Sequence, residues 1–373
     1  MARNGVEAVE PAGETRTFGT GPGCRLAVVP PLEPMLARLT RMIPEGDYVF
    51  EPKWDGFRCL AFCEDGQVEL FSRNQRPLAR YFPEVVGALQ AAVPGCAVLD
   101  GELMIVGPQP ADFGALLARL HPAASRVARL AEETPARFVV FDVLAAGPED
   151  LTARPFTERR NRLLELLRAR DPDGATDTAT LTVTPATTDR TAAEQWLDVS
   201  GGGIDGVVAK AFDLAYEPGR RAMIKVKRER TADCVVAGFR LAVDRPAVAS
   251  LLLGLFDGAG GLRHVGVASS FTAARRRELV DELAPLVMPL VGHPWEHGFL
   301  VGGGRLGHLP GAAGRWTPAD HRDWIPVRPE LVCEVAYDIW EGDRFRHAAR
   351  FRHWRPDRDP ASCTLEQMVP VSP

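Results

Sequence analysis

Glu51-Pro52-Lys53-Trp54-Asp55-Gly56-Phe57-Arg58 is the stretch that decides how this chain is read. Residues 48–53 have the apolar content of a short strand, and Asp55-Gly56 interrupts it, so Lys53 stands at a strand end. A lysine amine is nucleophilic only when neutral, and its ordinary pKa is about 10.4. Burial or neighbouring cations lower that value. Gly56 leaves room for a ligand to approach the backbone. The same string also fits a surface lysine in a turn.

Four charged clusters follow in order: Asp100-Gly101-Glu102, Phe141-Asp142, Asp205 to Lys210, and Lys225-Val226-Lys227. Asp100 and Glu102 are two apart in an apolar run, so a strand turns both carboxylates to one face. A charged edge strand reads the same way, although the flanking Val98, Leu99, Leu103, Met104 and Ile105 argue against an exposed edge. Asp205 enters an apolar strand, which is costly for a carboxylate unless it is paired or binds a metal. Lys225 and Lys227 share a strand face and repel unless an anion lies between them. A triphosphate is such an anion; an amphipathic edge strand is the plainer alternative. Together the clusters supply a lysine nucleophile, acids for a metal and a ribose, and cations for phosphates.

A length of 373 residues predicts two or three domains with a sizeable core. There is no run of eighteen apolar residues for a membrane helix, and residues 1–23 lack a signal-peptide pattern, so a cytoplasmic protein is expected. The seven cysteines are scattered and read as free, packed thiols. A net charge of −5 is unlike a nucleic-acid binder, but local patches outweigh the total. Arginines cluster at 159–160, 220–221, 225–230, 275–277 and 344–358. Each alone is a solvated face; the last two are dense enough to meet phosphates.

Residues 1–28 read as a mobile tail. A hairpin is expected over 57–63 and 68–72 with Asp65-Gly66 in its turn. Further strands are expected at 97–106, 137–144, 206–212 and 222–227, and helices at 112–120, 125–132, 158–168 (capped by Thr157) and 192–199, the last ending at Gly201 to Gly203. After 231–233 come short strands at 234–240, 249–256, 262–269 and 331–339, interrupted by one helix with Thr272 as its N-cap. Strands with one helix fit a small OB barrel. The expected fold is α+β: a domain of antiparallel sheets with flanking helices over 29–232, an OB-fold β-barrel over 233–366, and a tail over 367–373. Two motif matches are rejected. Gly201 to Gly206 fits G-x-G-x-x-G but precedes a strand rather than a helix. His293-Pro294-Trp295-Glu296-His297 fits H-x-x-E-H, but Pro294 and the flanking glycines oppose the helix that motif needs.

The ordered set resembles the covalent nucleotidyltransferases, and among them the ATP-dependent DNA ligases. Lys53-Trp54-Asp55-Gly56 is similar to their adenylation motif. Ser72-Arg73-Asn74, Asp100 to Glu102, 138–142, Asp205 to Lys210 and Lys225 to Lys227 resemble the later motifs, and Arg355-Pro356-Asp357-Arg358 the final one, on the OB domain. Residues 73–82, 113–129 and 230–240 carry a closer likeness to the small actinobacterial ligase C group and to the ligase module of bacterial ligase D. Where the family usually has glutamate this chain has Asp205. Met223 stands where an aromatic is common, and Arg358 where lysine is.

The resemblance implies adenylylation of Lys53 by ATP, transfer of AMP to a 5'-phosphate, and attack by the 3'-hydroxyl at a nick in double-stranded DNA. It implies that Glu51 meets the adenine amine, Phe141 stacks on the base, and Glu102 holds the ribose. Arg58 and Arg73 would meet nucleotide or nick phosphate, and Lys225 and Lys227 would hold phosphates beside the catalytic Lys53. Asp205, with Glu102, would bind magnesium or manganese. Arg355, Asp357 and Arg358 would act on the pyrophosphate end, with a hinge near Asp233. A monomer working with other repair proteins at the nucleoid is expected. An RNA ligase, a GTP-using capping enzyme and a non-catalytic OB protein are the alternatives.

Overall fold

The computed structural model describes residues 23–93, 95–105, 113–168, 180–198, 203–242, 245–298, 300–301, 305–306 and 324–368. The chain divides into two compact units, Met1–Arg228 and Glu229–Pro373.

The first unit is built on two sheets. One has the order β1 (Ala37–Thr40), β10 (Met223–Val226), β9 (Ile204–Ala211), β2 (Tyr48–Trp54). The other runs β4 (Gln67–Ser72), β3 (Phe57–Glu64), β5 (Ala97–Ile105), β6 (Ala136–Ala146), β7 (Glu149–Asp150), with β8 (Leu181–Val183) also on β6. Pairing is antiparallel except for β1 with β10 and β8 with β6. The β3–β4 hairpin turns through Asp65 and Gly66, both at positive φ (48° and 77°), the backbone a tight two-residue turn demands.

Leu60, Phe62, Val98, Leu144 and Met35 form a core between the sheets. Phe138, Val140, Leu99 and Leu103 face the other way, onto helices α1 (Pro83–Ala92) and α4 (Phe156–Arg168). Phe50, Val207 and Ile224 pack under α5 (Arg190–Asp198). Two shorter helices, α2 (Phe113–Ala118) and α3 (Ala124–Glu133), join β5 to β6. Thr157 lies inside α4 rather than capping it; its hydroxyl donates to the Phe212 carbonyl at 3.2 Å.

The second unit is a five-stranded sheet ordered β13 (Leu262–Ala268), β12 (Arg245–Phe256), β11 (Arg230–Ala242), β16 (Ile325–Tyr337), β19 (Arg350–Trp354). A bridge between Ala268 and Ala349 brings its two ends together, which closes the barrel expected of an OB fold. Helix α6 (Ala273–Leu283) follows β13, and the Thr272 hydroxyl caps it by accepting from Arg275 N. Two short hairpins, β14–β15 (Leu300–Val301, Arg305–Leu306) and β17–β18 (Trp340–Glu341, Arg344–Phe345), lie between the long strands.

Three expectations change. In the N-terminal segment 1–28, residues 1–22 lie outside the described residues, but Leu26 and Val28 are buried in the inter-sheet core, and Cys24 N donates to Asp65. At the other end Gln367 holds the Asp233 backbone and Met368 is buried, while 369–373 lie outside the described residues. Asp233 itself sits within β11 and pairs with Arg355 and Arg358, and the boundary between the units falls a few residues earlier, at Arg228 and Glu229. Gly201 and Gly202, two of the three glycines of the expected helix stop, lie outside the described residues. All seven cysteines are free, six of them buried. His293 is buried, its Nε2 2.9 Å from the Ala237 carbonyl oxygen, so the H-x-x-E-H match is a packing feature.

Candidate active site

A cavity of about 350 Å³ opens in the first unit and is lined by residues from both of its sheets. Seven of the expected residues line it: Glu51, Lys53, Arg58, Arg73, Glu102, Phe141 and Lys225. Two irregularities in strand register aim the central ones.

The first lies at Lys53. Pro52 pairs with Val207 and Trp54 with Ile204, so Lys53 alone opposes Asp205 and Gly206. Such a bulge bends a strand and re-aims a side chain. Here it brings Lys53 Nζ to 2.7 Å from Asp205 Oδ2, which Lys227 Nζ also meets at 2.5 Å. Gly206 makes the bulge possible. Its φ is +140°, and a Cβ there would fall 2.1 Å from the Val226 carbonyl oxygen, so only glycine lets β9 and β10 pass this close. Burial pushes the Asp205 pKa up, but the two ammonium groups prevail and hold it below the ordinary carboxylate range.

The second lies on β6. Asp100 pairs with Asp142 and Gly101 with Val140, leaving Phe141 as the extra residue. Its ring lines the cavity but is only 9% exposed. Arg58 and Lys210 lie 4.4 Å and 4.9 Å from its centroid.

Asp100 and Glu102 share a face, as the strand period requires, but only Glu102 lines the cavity. Asp100 is fully buried beneath Arg58 and accepts from its Nε (2.5 Å) and Nη2 (2.6 Å) and from the Tyr216 hydroxyl (2.6 Å). Arg58 is therefore anchored by a bidentate pair and not free to wander. Glu102 accepts from Gly56 N at 3.2 Å. Burial raises its pKa to about 7, against the opposing pull of Arg58 and Lys53. Gly56 serves packing rather than ligand approach: a Cβ there would lie 2.1 Å from the Leu103 carbonyl oxygen.

Lys225 and the exposed Arg73 and Arg221 make no ion pair with a described residue, and all three border the cavity. The Lys225 pKa is lowered by burial and then by Lys53, Lys227 and Arg221. Cations gathered this way, with few acids among them, form an anion site. Lys227 lies just beyond β10 on Asp205 rather than beside Lys225.

Sequence reasoning gave Lys210, Arg160 and Arg221 no specific role at the site. Lys210 and Arg160 both hold Glu51, each at 2.9 Å. Burial raises the Glu51 pKa, while Lys210 and Arg160 oppose the rise. Arg221 was legible only as part of an arginine pair.

No cluster of three or more His, Cys, Asp or Glu among the described residues holds a metal by itself. Magnesium commonly uses one or two carboxylates with waters and substrate phosphates. Asp205 and Glu102 are the carboxylates in the field of Lys53.

Arg355 and Arg358 belong to the second unit. Arg355 Nη1 meets both carboxylate oxygens of Asp233 at 3.0 Å, and its Nε and Nη2 meet Asp357 at 2.9 Å and 2.8 Å. Arg358 Nε lies 3.2 Å from Asp233. Asp357 is pulled down to about 2, chiefly by its bond from Arg355.

Two family descriptions match the chain: ATP dependent DNA ligase domain over residues 34–227, and ATP dependent DNA ligase C terminal region over 244–358. The chain is 48% identical over 346 residues to DNA ligase C of Mycobacterium tuberculosis, covering 92% of this chain and 95% of that one. It is 28% identical over 342 residues to the multifunctional non-homologous end joining DNA repair protein LigD of the same species, covering 90% of this chain and 40% of that one. A solved Lig E DNA ligase shares the fold at TM-score 0.51 and 21% identity, covering 86% of this chain and 99% of that one. With both halves of the chain matched and a lysine set on a carboxylate beside a cation-rimmed cavity, the chain belongs to the ATP-dependent DNA ligases.

Proposed function

We propose that this ligase seals 5'-phosphate/3'-hydroxyl nicks in double-stranded DNA through AMP carried on Lys53, as part of DNA repair. The observation that carries this reading is the bulge that sets Lys53 against Asp205 and Lys227 at the edge of a cavity bordered by Arg73, Arg221 and Lys225.

Lys53 Nζ attacks the α-phosphorus of ATP, the bond to the β-phosphate oxygen breaks, and pyrophosphate leaves. The AMP passes to a 5'-phosphate at the nick, and the 3'-hydroxyl then displaces it. No carbon bond changes, so the protein works by positioning and by neutralising charge. Lys225, Lys227, Arg73 and Arg221 neutralise phosphate oxygens. Glu51 accepts from the adenine amine, Phe141 borders the base, and Glu102 holds the ribose. A divalent metal, magnesium or manganese, held by Asp205 and Glu102 would supply further neutralisation at the phosphates. Arg58, fixed on Asp100, presents its remaining edge to the nucleotide or the nick phosphate.

In this reading Arg355, Asp357 and Arg358 assist pyrophosphate departure, and the hinge lies at Arg228 and Glu229, ahead of β11. The protein acts as a monomer at the nucleoid, with other repair proteins supplying breaks. No helix among the described residues is long and apolar enough to cross a membrane.

Intact-protein mass spectrometry tests the reading. Incubation with ATP and magnesium should add one AMP, mapping to Lys53, and a chase with 5'-phosphorylated nicked DNA should remove it as the nick closes. An adduct on another residue, or one that nicked DNA does not discharge, overturns it.

A further inference from the structure

Arg159-Arg160 reads from sequence as a solvated face, yet neither side chain faces open surface. Arg159 is fully buried on Asp142 at 2.8 Å and 2.9 Å, with further bonds to the Arg154 and Leu214 carbonyls. Arg160, its side chain 14% exposed, donates from Nη1 to Glu51 Oε1 and from Nη2 to the Thr184 carbonyl, each at 2.9 Å. The Trp54 indole donates to the Thr184 hydroxyl at 2.8 Å. Arg160 thus ties α4 to the cavity wall through the one carboxylate of β2 that lines it.

We propose that Arg160 is a positioning residue that fixes Glu51 in an acceptor-only geometry, so that the nucleotide site takes a 6-amino purine and refuses a 6-oxo purine. The inference rests on the reading that Glu51 meets the base. Lys210 holds the second oxygen, Oε2, and also donates to the Phe141 carbonyl at 3.0 Å. Both oxygens are therefore anchored, and the carboxylate cannot rotate away from the cavity.

An ionised carboxylate can only accept hydrogen bonds, whereas its protonated form can also donate. The 6-amino group of adenine donates; a 6-oxo group only accepts, and meets an ionised carboxylate lone pair to lone pair. A protonated Glu51 would reverse that selection. The charged groups packed against Glu51 are Arg160 from α4, Lys210 from β9 and Asp142 from β6. Burial and Asp142 favour the proton; the two cations oppose it. Loss of Arg160 leaves a single cation, already shared with a backbone carbonyl.

The test compares the full-length wild type with Arg160→Met, Arg160→Lys and Glu51→Gln. Pyrophosphate release on self-nucleotidylation is measured in separate reactions with ATP and with inosine triphosphate, which carries the 6-oxo group. Arg160→Met should lower the ratio of kcat/KM for ATP over inosine triphosphate by about tenfold, the worth of one hydrogen bond to a charged group. The fall should be larger at mildly acid than at mildly alkaline pH. Arg160→Lys keeps the charge but cannot reach Glu51 and Thr184 together, and should lie between the two. If Glu51→Gln relaxes the preference while Arg160→Met retains the wild-type ratio at every pH, Arg160 does not set it. If Glu51→Gln retains the ratio as well, the base-reading role of Glu51 fails first. Should Arg160→Met not fold, the lysine variant decides, and an unchanged ratio in it overturns the inference.

Discussion

Replacing Glu102 by glutamine should stabilise the ligand-free protein, and only at neutral and alkaline pH. Burial lifts the Glu102 pKa from its ordinary 4.5 to about 7. The folded form therefore binds a proton more tightly than the unfolded chain, and stability attributable to this group falls as pH rises from 4.5 to 7. Below 4.5 the carboxyl is protonated in both states and contributes no difference; above 7 the full cost of a buried charge is present. The shift corresponds to roughly 3 kcal/mol. Solvent reaching the partly exposed side chain reduces this to on the order of 2 kcal/mol. Glutamine keeps the shape and can still accept from Gly56 N, but carries no charge. For a unit of this size the gain is about 4–8 °C in Tm. Thermal unfolding followed by circular dichroism, with EDTA and no nucleotide, at pH values on either side of that window, measures it. Glu102→Gln should melt higher than wild type at the alkaline pH and together with it at the acid one, while losing self-adenylylation. Equal separation at both pH values, or a less stable variant at alkaline pH, would refute the argument.

Other outcomes follow from the same geometry. Lys53→Ala should abolish both the AMP adduct in intact-mass spectra and the sealing of a 5'-phosphorylated nick. Asp205→Ala should lose activity at every magnesium concentration while remaining folded by circular dichroism, and Asp205→Glu should stay active in the same titration. Gly56→Ala forces a methyl into the Leu103 carbonyl, and should lower the unfolding free energy measured by chemical denaturation by about 1–3 kcal/mol and disturb adenylylation with it. The double variant Arg355→Ala, Arg358→Ala should fail with ATP yet seal a nick whose 5'-phosphate is already adenylated; equal loss on both substrates in a gel assay would make the cluster a DNA contact.

The residues that line the cavity were legible because several charged clusters, each ambiguous alone, follow one another in a set order. Local signals were legible too: Thr272 caps its helix, and Asp65-Gly66 makes its turn. What could not be read is what depends on partners distant in sequence. The extra residues opposite Lys53 and at Phe141 are irregularities between strands far apart in the chain, and a period-of-two reading assumes they do not exist. That reading turned Asp100 and Glu102 alike to one face, but only Glu102 lines the cavity and Asp100 lies beneath Arg58. Gly56 and Gly206 stand out as glycines, but the carbonyls they make room for, Leu103 and Val226, belong to other strands. Arg160 and Lys210 read as a surface arginine and a strand-closing lysine because nothing local names Glu51 as their partner.

The same geometry explains how a lysine can be kept ready and yet unreactive. An amine that donates to a carboxylate at 2.7 Å has a proton where its lone pair must point to attack phosphorus. Lys53 is thus masked by Asp205, and Lys227 competes for the same oxygen at 2.5 Å. A triphosphate would offer Lys227 oxygens of its own, and a divalent metal held by Asp205 would be a stronger partner for that carboxylate than an ammonium group. Asp205 would then let go of Lys53, which lies at the cavity with Lys225, Arg73 and Arg221. Without nucleotide, the pair returns to the masked state. The shortened acid suits this exchange. Aspartate at 205 reaches Lys53 only because the bulge with Gly206 brings the two strands together, so Gly206 and Asp205 work as a unit. Gly206→Ala should therefore lose adenylylation even where the protein still folds, because the carboxylate that releases Lys53 on substrate binding no longer sits opposite it.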